Sequence, residues 1–110
     1  MASVALLSAD LLFGSRVEGG LAAAGHAVMR FADQSEALRG AADADVLVVD
    51  LTAEPYDVES LGALDTPTLG FYSHVEVEVR RRAEAAGFDL VVPRSRMARE
   101  MAALVERVAA

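Results

Sequence analysis

Lysine and cysteine are both absent from this chain of 110 residues. With no cysteine there is neither a disulfide nor a thiolate metal site, a composition that suits a reducing compartment. With no lysine, all ten basic side chains are arginines, so a compact ammonium is unavailable wherever chemistry would ask for one. No run approaches the roughly 18 to 20 consecutive apolar residues of a membrane span, and the N-terminus lacks the basic-then-apolar layout and cleavage site of a signal peptide. The expectation is a soluble, cytoplasmic protein with no membrane partner. Nucleotide and hydrolase signatures are missing as well. The turn Ser8-Ala9-Asp10-Leu11-Leu12-Phe13-Gly14 holds no G-x-G-x-x-G, Gly19 and Gly20 come too late to cradle a phosphate, and neither a P-loop nor a G-x-S-x-G elbow occurs. Internal repeats, low-complexity tracts and linkers are also lacking.

Apolar residues are plentiful: 54 % of the chain is hydrophobic, enough to supply one core in a single domain spanning residues 1 to 110. The formal net charge of −7 argues against nucleic acid as a partner, because that affinity is built on neutralising phosphates. The charge is uneven. Residues 1 to 79 hold three arginines against thirteen acids, whereas residues 80 to 110 hold seven arginines against four. The C-terminal third is therefore locally basic, either as solvated helix faces or as a partner-facing or self-associating surface.

Ser3 to Ser8 reads as a buried strand, followed by a helix from Leu11 to Ala24 with Leu11, Leu12, Val17, Leu21 and Ala24 near helical spacing and Gly25 as its stop. His26 to Phe31 is a second strand, and Asp33 with Glu36 three later forms a capping box for a short helix through Ala41. Asp45 to Leu51 is almost wholly β-branched or leucine, the pattern of a strand buried on both faces of a parallel sheet, with Asp50 at its tip. The next link contains Pro55 and leaves room for only two helical turns, from Asp57 to Leu64, before Pro67. Thr68 to Ser73 is a fourth strand. Ser73 and Glu76 form a second capping box, opening a helix to Ala86 with Val75, Val79, Ala83 and Ala86 on one face and Gly87 at its end. Phe88 to Val92 is the fifth strand. After Pro93 a last helix places Met97, Met101, Leu104, Val105 and Val108 on one stripe, the methionine pair reading as core.

Five strands alternating with five helices imply right-handed βαβ crossovers and an α/β doubly wound fold, a five-stranded parallel sheet with helices on both faces. The expected strand order is the flavodoxin-like 2-1-3-4-5, whose switch point falls at Ser8-Ala9-Asp10 and Asp50-Leu51-Thr52. Phosphoryl transfer to the Asp50 carboxylate is the obvious chemistry at such a tip. The plain structural alternative is a strand-end carboxylate taking backbone N–H bonds from the loop that follows it.

The chain resembles the receiver domains of bacterial response regulators over nearly its whole length. Val4-Ala5-Leu6-Leu7, with the helix ending at Ala24-Gly25-His26-Ala27-Val28, is similar to the family's first strand, first helix and second strand. Ala44-Asp45-Val46-Leu47-Val48-Val49-Asp50 is similar to the strand ending in the phosphoacceptor aspartate, and Thr66 to Ser73 to the fourth strand with its hydroxyl residue, whose place falls to Tyr72 or Ser73. Ala83-Glu84-Ala85-Ala86-Gly87-Phe88-Asp89 is similar to the junction before the fifth strand.

The chain also departs from that pattern. The resemblance implies a pair of Mg²⁺-holding acids at positions occupied by Ser8 and Ala9, with Asp10 just beyond as a helix cap. A hydroxyl and a methyl do not replace two carboxylates around a hard octahedral cation, so Mg²⁺ is disfavoured and no cofactor or metal site is expected. The implied lysine, followed by proline on a cis peptide, falls where the sequence reads Val92-Pro93-Arg94, and the stretch from Asp50 to Pro67 is short, clipping the third helix. His26 reads as a packed strand residue. His74, beside Ser73 on the Asp50 edge, has no second histidine or spaced acid to complete a metal site.

The resulting expectation is a stand-alone, degenerate receiver-like domain, not an enzyme. It would bind a protein partner or a second copy of itself through helix 4, strand 5 and helix 5, lined by Arg80, Arg81, Arg82, Arg94, Arg96 and Arg99. Two alternatives stand beside it. One is a working phosphoacceptor that uses Asp50, with Asp10 as a lone metal-assisting acid and Arg94 as charge partner. The other is a small-molecule-binding or catalytic flavodoxin-like module.

Overall fold

The computed structural model describes residues 1–52, 55–73 and 75–110. Five strands, β1 (Ser3–Leu7), β2 (Ala27–Phe31), β3 (Val46–Asp50), β4 (Thr68–Tyr72) and β5 (Leu90–Pro93), alternate with five helices, α1 (Leu11–Ala23), α2 (Gln34–Ala41), α3 (Val58–Gly62), α4 (Val77–Ala86) and α5 (Arg94–Ala109). All strand pairs are parallel, in the order β2-β1-β3-β4-β5. This is the doubly wound architecture expected from the alternation of elements. Every residue of β3 and β4 is buried, which is why those segments carry unbroken apolar runs.

Strand alternation splits the core into two layers. Val4, Leu6, Val46, Val48, Leu69 and Phe71 face α1 and α5, whereas Ala5, Leu7, Leu47, Val49 and Tyr72 face the α2, α3 and α4 side. Met97 is fully buried and Met101 packs beside it, so the methionine pair is core. Met101 lies over Gly20 of α1, where an added Cβ would meet its sulfur at 2.4 Å.

Several local readings need correction. Leu11 and Leu12 are 74 % and 86 % exposed, and the buried stripe of α1 runs instead through Phe13, Gly14, Val17 and Leu21. Within that first turn Phe13 and Gly14 take the buried positions, which leaves Leu11 and Leu12 on the solvent side. Val75 is likewise 74 % exposed and precedes the helix. The Ser73 and Glu76 capping box does not form: α4 begins at Val77 with Glu76 at the cap and no side-chain cap bond, and Ser73 meets Glu76 only through a backbone turn of 2.8 Å. Asp45 and Asp89 stand before β3 and β5 rather than within them. Each carboxylate accepts the first N–H of a neighbouring strand, Ser3 and Thr68 respectively, both at 2.8 Å.

The expected caps hold elsewhere. Asp33 accepts from the amides of Ser35 and Glu36, and Gly25 and Gly87 adopt φ of 95° and 109° after α1 and α4. Asp57 caps α3, where the Ser60 hydroxyl and amide hold its carboxyl below the ordinary 3.8.

His26 sits just before β2, 5 % exposed, and joins the two ends of the fold. Its Nδ1 accepts the Ala2 N–H at 2.9 Å and its Nε2 meets Glu106 of α5 at 3.2 Å. Because Nδ1 faces a donor, the proton of the neutral ring belongs on Nε2. Long-range ¹⁵N–¹H correlation of the neutral ring is expected to show an unprotonated Nδ1 and a protonated Nε2. The reverse tautomer would contradict this arrangement.

Candidate functional site

Register brings the expected tips together. Leu7 of β1 lies opposite Val49 of β3, so the next residues, Ser8 and Asp50, meet across the switch point. Asp50 is wholly buried. The Ser8 hydroxyl donates to its Oδ2 at 2.8 Å, while Oδ1 accepts the Thr52 amide at 2.9 Å and the Thr52 hydroxyl at 2.5 Å. A loop N–H therefore reaches the carboxylate, as the plain structural reading anticipated. Two hydroxyls do so as well, and both oxygens are engaged.

Asp10 takes no part in this cluster. Its Oδ1 caps α1 by accepting from Leu12 and Phe13 at 3.0 and 2.9 Å, and its Oδ2 faces Arg94 at 3.6 Å. Only its backbone approaches Ser8, with the Asp10 amide 3.3 Å from the Ser8 hydroxyl. The pairing of Asp10 with Asp50 as metal-assisting acids is thus not formed. Arg94 also differs from a charge partner for Asp50. Its guanidinium lies 4.2 Å from the centre of the Phe13 ring and pairs with Asp10, drawn to the α1 side of the edge.

The alternation of β4 separates the two hydroxyl candidates. Tyr72 packs in the α2, α3 and α4 layer, where Arg80 bonds to it, whereas Ser73 opens toward Phe13 and Arg94 on the other side. The Glu84 carboxylate and, after it, the Tyr72 hydroxyl push the Arg80 guanidinium above its ordinary value. His74 lies outside the described residues.

The proposed arginine face is largely balanced by acids of the same chain. Arg80 pairs with Glu84, Arg81 with Glu78, Arg82 with Glu59, and both Arg96 and Arg99 with Glu100, at 2.8 to 3.7 Å. Such exposed pairs contribute about 0–1 kcal/mol each. Sequence charge alone overstates how basic this surface is.

Residues near the site that the sequence pattern does not single out include Arg30, Phe13 and Arg16. Arg30 of β2 bonds Ser15 at 2.9 Å and lies over Gly14, where an added Cβ would come within 3.0 Å of the Ser8 hydroxyl and 3.3 Å of the guanidinium carbon. Gly14 is thus small where Ser8 and Arg30 crowd against α1. Phe13 and Arg16, one helical turn apart on α1, join Ser73, Arg94, Ser95 and Ala98 around a cavity of about 320 Å³. An arginine three residues after an aromatic, at the start of a helix, was the available signal for it.

The residues at the two tips do not fit Mg²⁺. One carboxylate is already bonded on both oxygens, the adjoining positions are Ser8 and Ala9, and Asp10 is committed to a helix cap and an arginine. Among the described residues no group of three or more His, Cys, Asp or Glu side chains is placed to hold a metal ion. No helix is long and apolar enough to cross a membrane, again among the described residues.

No family model matches the sequence, and no curated protein does. Solved structures are similar across nearly the full chain. The receiver domain of Francisella response regulator 1452 superposes with a TM-score of 0.83 at 18 % identity, covering 99 % of this chain and 97 % of that one. Chemotaxis protein CheY4 of Vibrio cholerae gives 0.81 at 24 % identity, covering 98 % of each chain. The receiver domain of sensor histidine kinase PA1611 from Pseudomonas aeruginosa, whose structure has a magnesium ion in the active-site cleft, gives 0.81 at 17 % identity, covering 98 % of this chain and 97 % of that one. The fold of this chain is that of receiver domains.

Proposed function

We propose that this chain is a receiver-like signalling module that acts by contact with a protein partner and keeps Asp50 closed instead of using it as a phosphoacceptor. One observation carries the reading: Asp50 is fully buried, with the Ser8 hydroxyl on one oxygen and the Thr52 amide and hydroxyl on the other. Phosphoryl transfer needs a carboxylate oxygen free to approach phosphorus in line, and positive charge to take up what spreads over the equatorial oxygens. Here the carboxylate is buried and each oxygen already accepts a hydroxyl hydrogen bond, the chain has no lysine, and Arg94 is turned to Asp10 and Phe13. The tip cluster is then a structural clamp that ties β1 to the β3–α3 loop and fixes a single conformation. The partner contact is assigned to α4, β5 and α5, where weak arginine–acid pairs can exchange for pairs with a second chain at little cost.

Incubation with a small acyl phosphate and Mg²⁺, followed by intact-mass measurement, tests this. The expected result is an unchanged mass. A phosphoryl group gained by the native chain and lost in Asp50→Asn would overturn the reading.

A further inference from the structure

The cavity between the first turns of α1 and α5 is set apart from the Asp50 cluster and is cationic in a chain that is otherwise acidic. Phe13 and Arg16 form one wall, Arg94, Ser95 and Ala98 the other, and Ser73 at the end of β4 completes the lining. At about 320 Å³ it reaches the lower end of the size range of small-ligand sites, roughly 300–1,000 Å³. Its apolar part is fixed: the Phe13 ring is buried and packs on Phe71 at 5.2 Å between centres, and Arg94 lies across Phe13 at 4.2 Å.

Charge decides what such a cavity takes. Arg16 and Arg94 line it, and the carboxylate facing Arg94 is Asp10 at 3.6 Å, beyond good hydrogen-bond length. Arg16 makes no ion pair among the described residues, unlike the arginines of α4. Among the described residues, two guanidinium groups against one carboxylate leave net positive charge at the mouth. The Ser73 and Ser95 hydroxyls add neutral donors, and the opening turn of α5, which has no side-chain cap among the described residues, lines the same cavity with the positive end of its dipole.

We propose that this cavity binds a small phosphate-bearing anion without covalent attachment, held between the Arg16 and Arg94 guanidinium groups with Ser73 and Ser95 as hydroxyl donors. Guanidinium forks match phosphate oxygens two at a time, and Phe13 and Ala98 leave apolar surface for the remainder of an ester. Such a ligand would bridge α1, β4 and α5, the elements that meet at this edge. The site does not depend on whether Asp50 accepts a phosphoryl group. Inorganic phosphate donates none, so its binding and the acyl-phosphate result succeed or fail separately.

The test is an amide NMR titration of the full chain with inorganic phosphate at constant ionic strength, repeated with acetate and with chloride. Saturable shifts at Phe13, Ser73, Arg94 and Ser95 are expected with phosphate, with weaker binding of acetate. Arg16→Gln and Arg94→Gln should each weaken binding about tenfold, the scale of one hydrogen bond to a charged group. Asp10→Asn, which keeps a good helix cap, should tighten it by removing the competing carboxylate. Shifts that stay linear in phosphate concentration and are reproduced by chloride would overturn the proposal. So would saturable phosphate binding that survives in the Arg16→Gln/Arg94→Gln double variant, or acetate binding as tight as phosphate.

Discussion

A Gly62→Ala variant is expected to lose about 3 kcal/mol of stability, a large share of the roughly 5–15 kcal/mol that holds a domain together. The reason lies in how α3 ends. A Cβ on Gly62 would stand 2.2 Å from the carbonyl oxygen of Ala86 and 2.6 Å from its carbonyl carbon, both backbone atoms at the end of α4. Backbone does not rotate aside as a side-chain tip does. The neighbouring Gly87 answers from the other side: its φ is 109°, and a Cβ there would lie 2.8 Å from the Gly62 carbonyl oxygen. Two glycines thus let the C-terminal ends of α3 and α4 touch. Relief would require α3 to lift from Val58 and Leu61, its two buried anchors. Thermal unfolding should show a midpoint lower by roughly 13 °C. Gly19→Ala is the control, because a Cβ at Gly19 meets nothing within 4 Å. That variant should gain about 0.5–1 kcal/mol from helix propensity alone. Equal effects at the two positions would show that the α3–α4 contact is loose.

The same contact shows what the sequence could reveal. The short link between Asp50 and Pro67 announced a clipped third helix, and α3 is indeed five residues long. Nothing in the link announced that its closing glycine would sit on the backbone of α4, because that contact joins positions 24 residues apart through shape alone. The strands were legible because burial on both faces demands unbroken apolar runs, most clearly in β3. Helix starts were less so. Leu11, Leu12 and Val75 fit helical spacing but are exposed, and periodicity does not say which side of a helix's first turn meets the sheet. At the candidate site, strand-tip position alone brought Ser8 and Asp50 to the same edge. That Ser8 closes the Asp50 carboxylate was not legible. A serine where an acid was expected reads as a missing ligand until its hydroxyl is found 2.8 Å from Oδ2. The cavity of Phe13, Arg16 and Arg94 was hidden for a related reason: its walls come from opposite ends of the chain, and only the packing of α1 beside α5 joins them.

Replacing Ser8 by aspartate, together with Ala9→Asp, is expected to convert the closed cluster into a divalent-cation site. The Ser8 hydroxyl oxygen lies 2.8 Å from Asp50 Oδ2. A carboxylate in its place puts two like charges within reach of each other and removes the donor that now satisfies Asp50. Two unit charges about 4 Å apart interact by roughly 4 kcal/mol at an effective dielectric constant near 20. Without metal, the double variant should therefore unfold several degrees below the native chain, or hold a proton shared between the carboxylates. Mg²⁺ reverses the sign of that interaction, since three carboxylates on adjoining tips supply the hard oxygens that the ion takes. Stabilisation by a ligand follows its concentration over Kd, about 2.7 kcal/mol at a hundredfold excess. Millimolar Mg²⁺ should then raise the melting temperature of the double variant and leave that of the native chain in place. An equal rise in both would mean that the native tips already hold the ion and that Ser8 does not close Asp50. No rise in either would mean that the backbone at residues 8 to 10, fixed by the Asp10 cap on α1, keeps new carboxylates from converging on Asp50. In that case the block on metal chemistry would reside in the geometry of the turn as much as in the identity of its side chains.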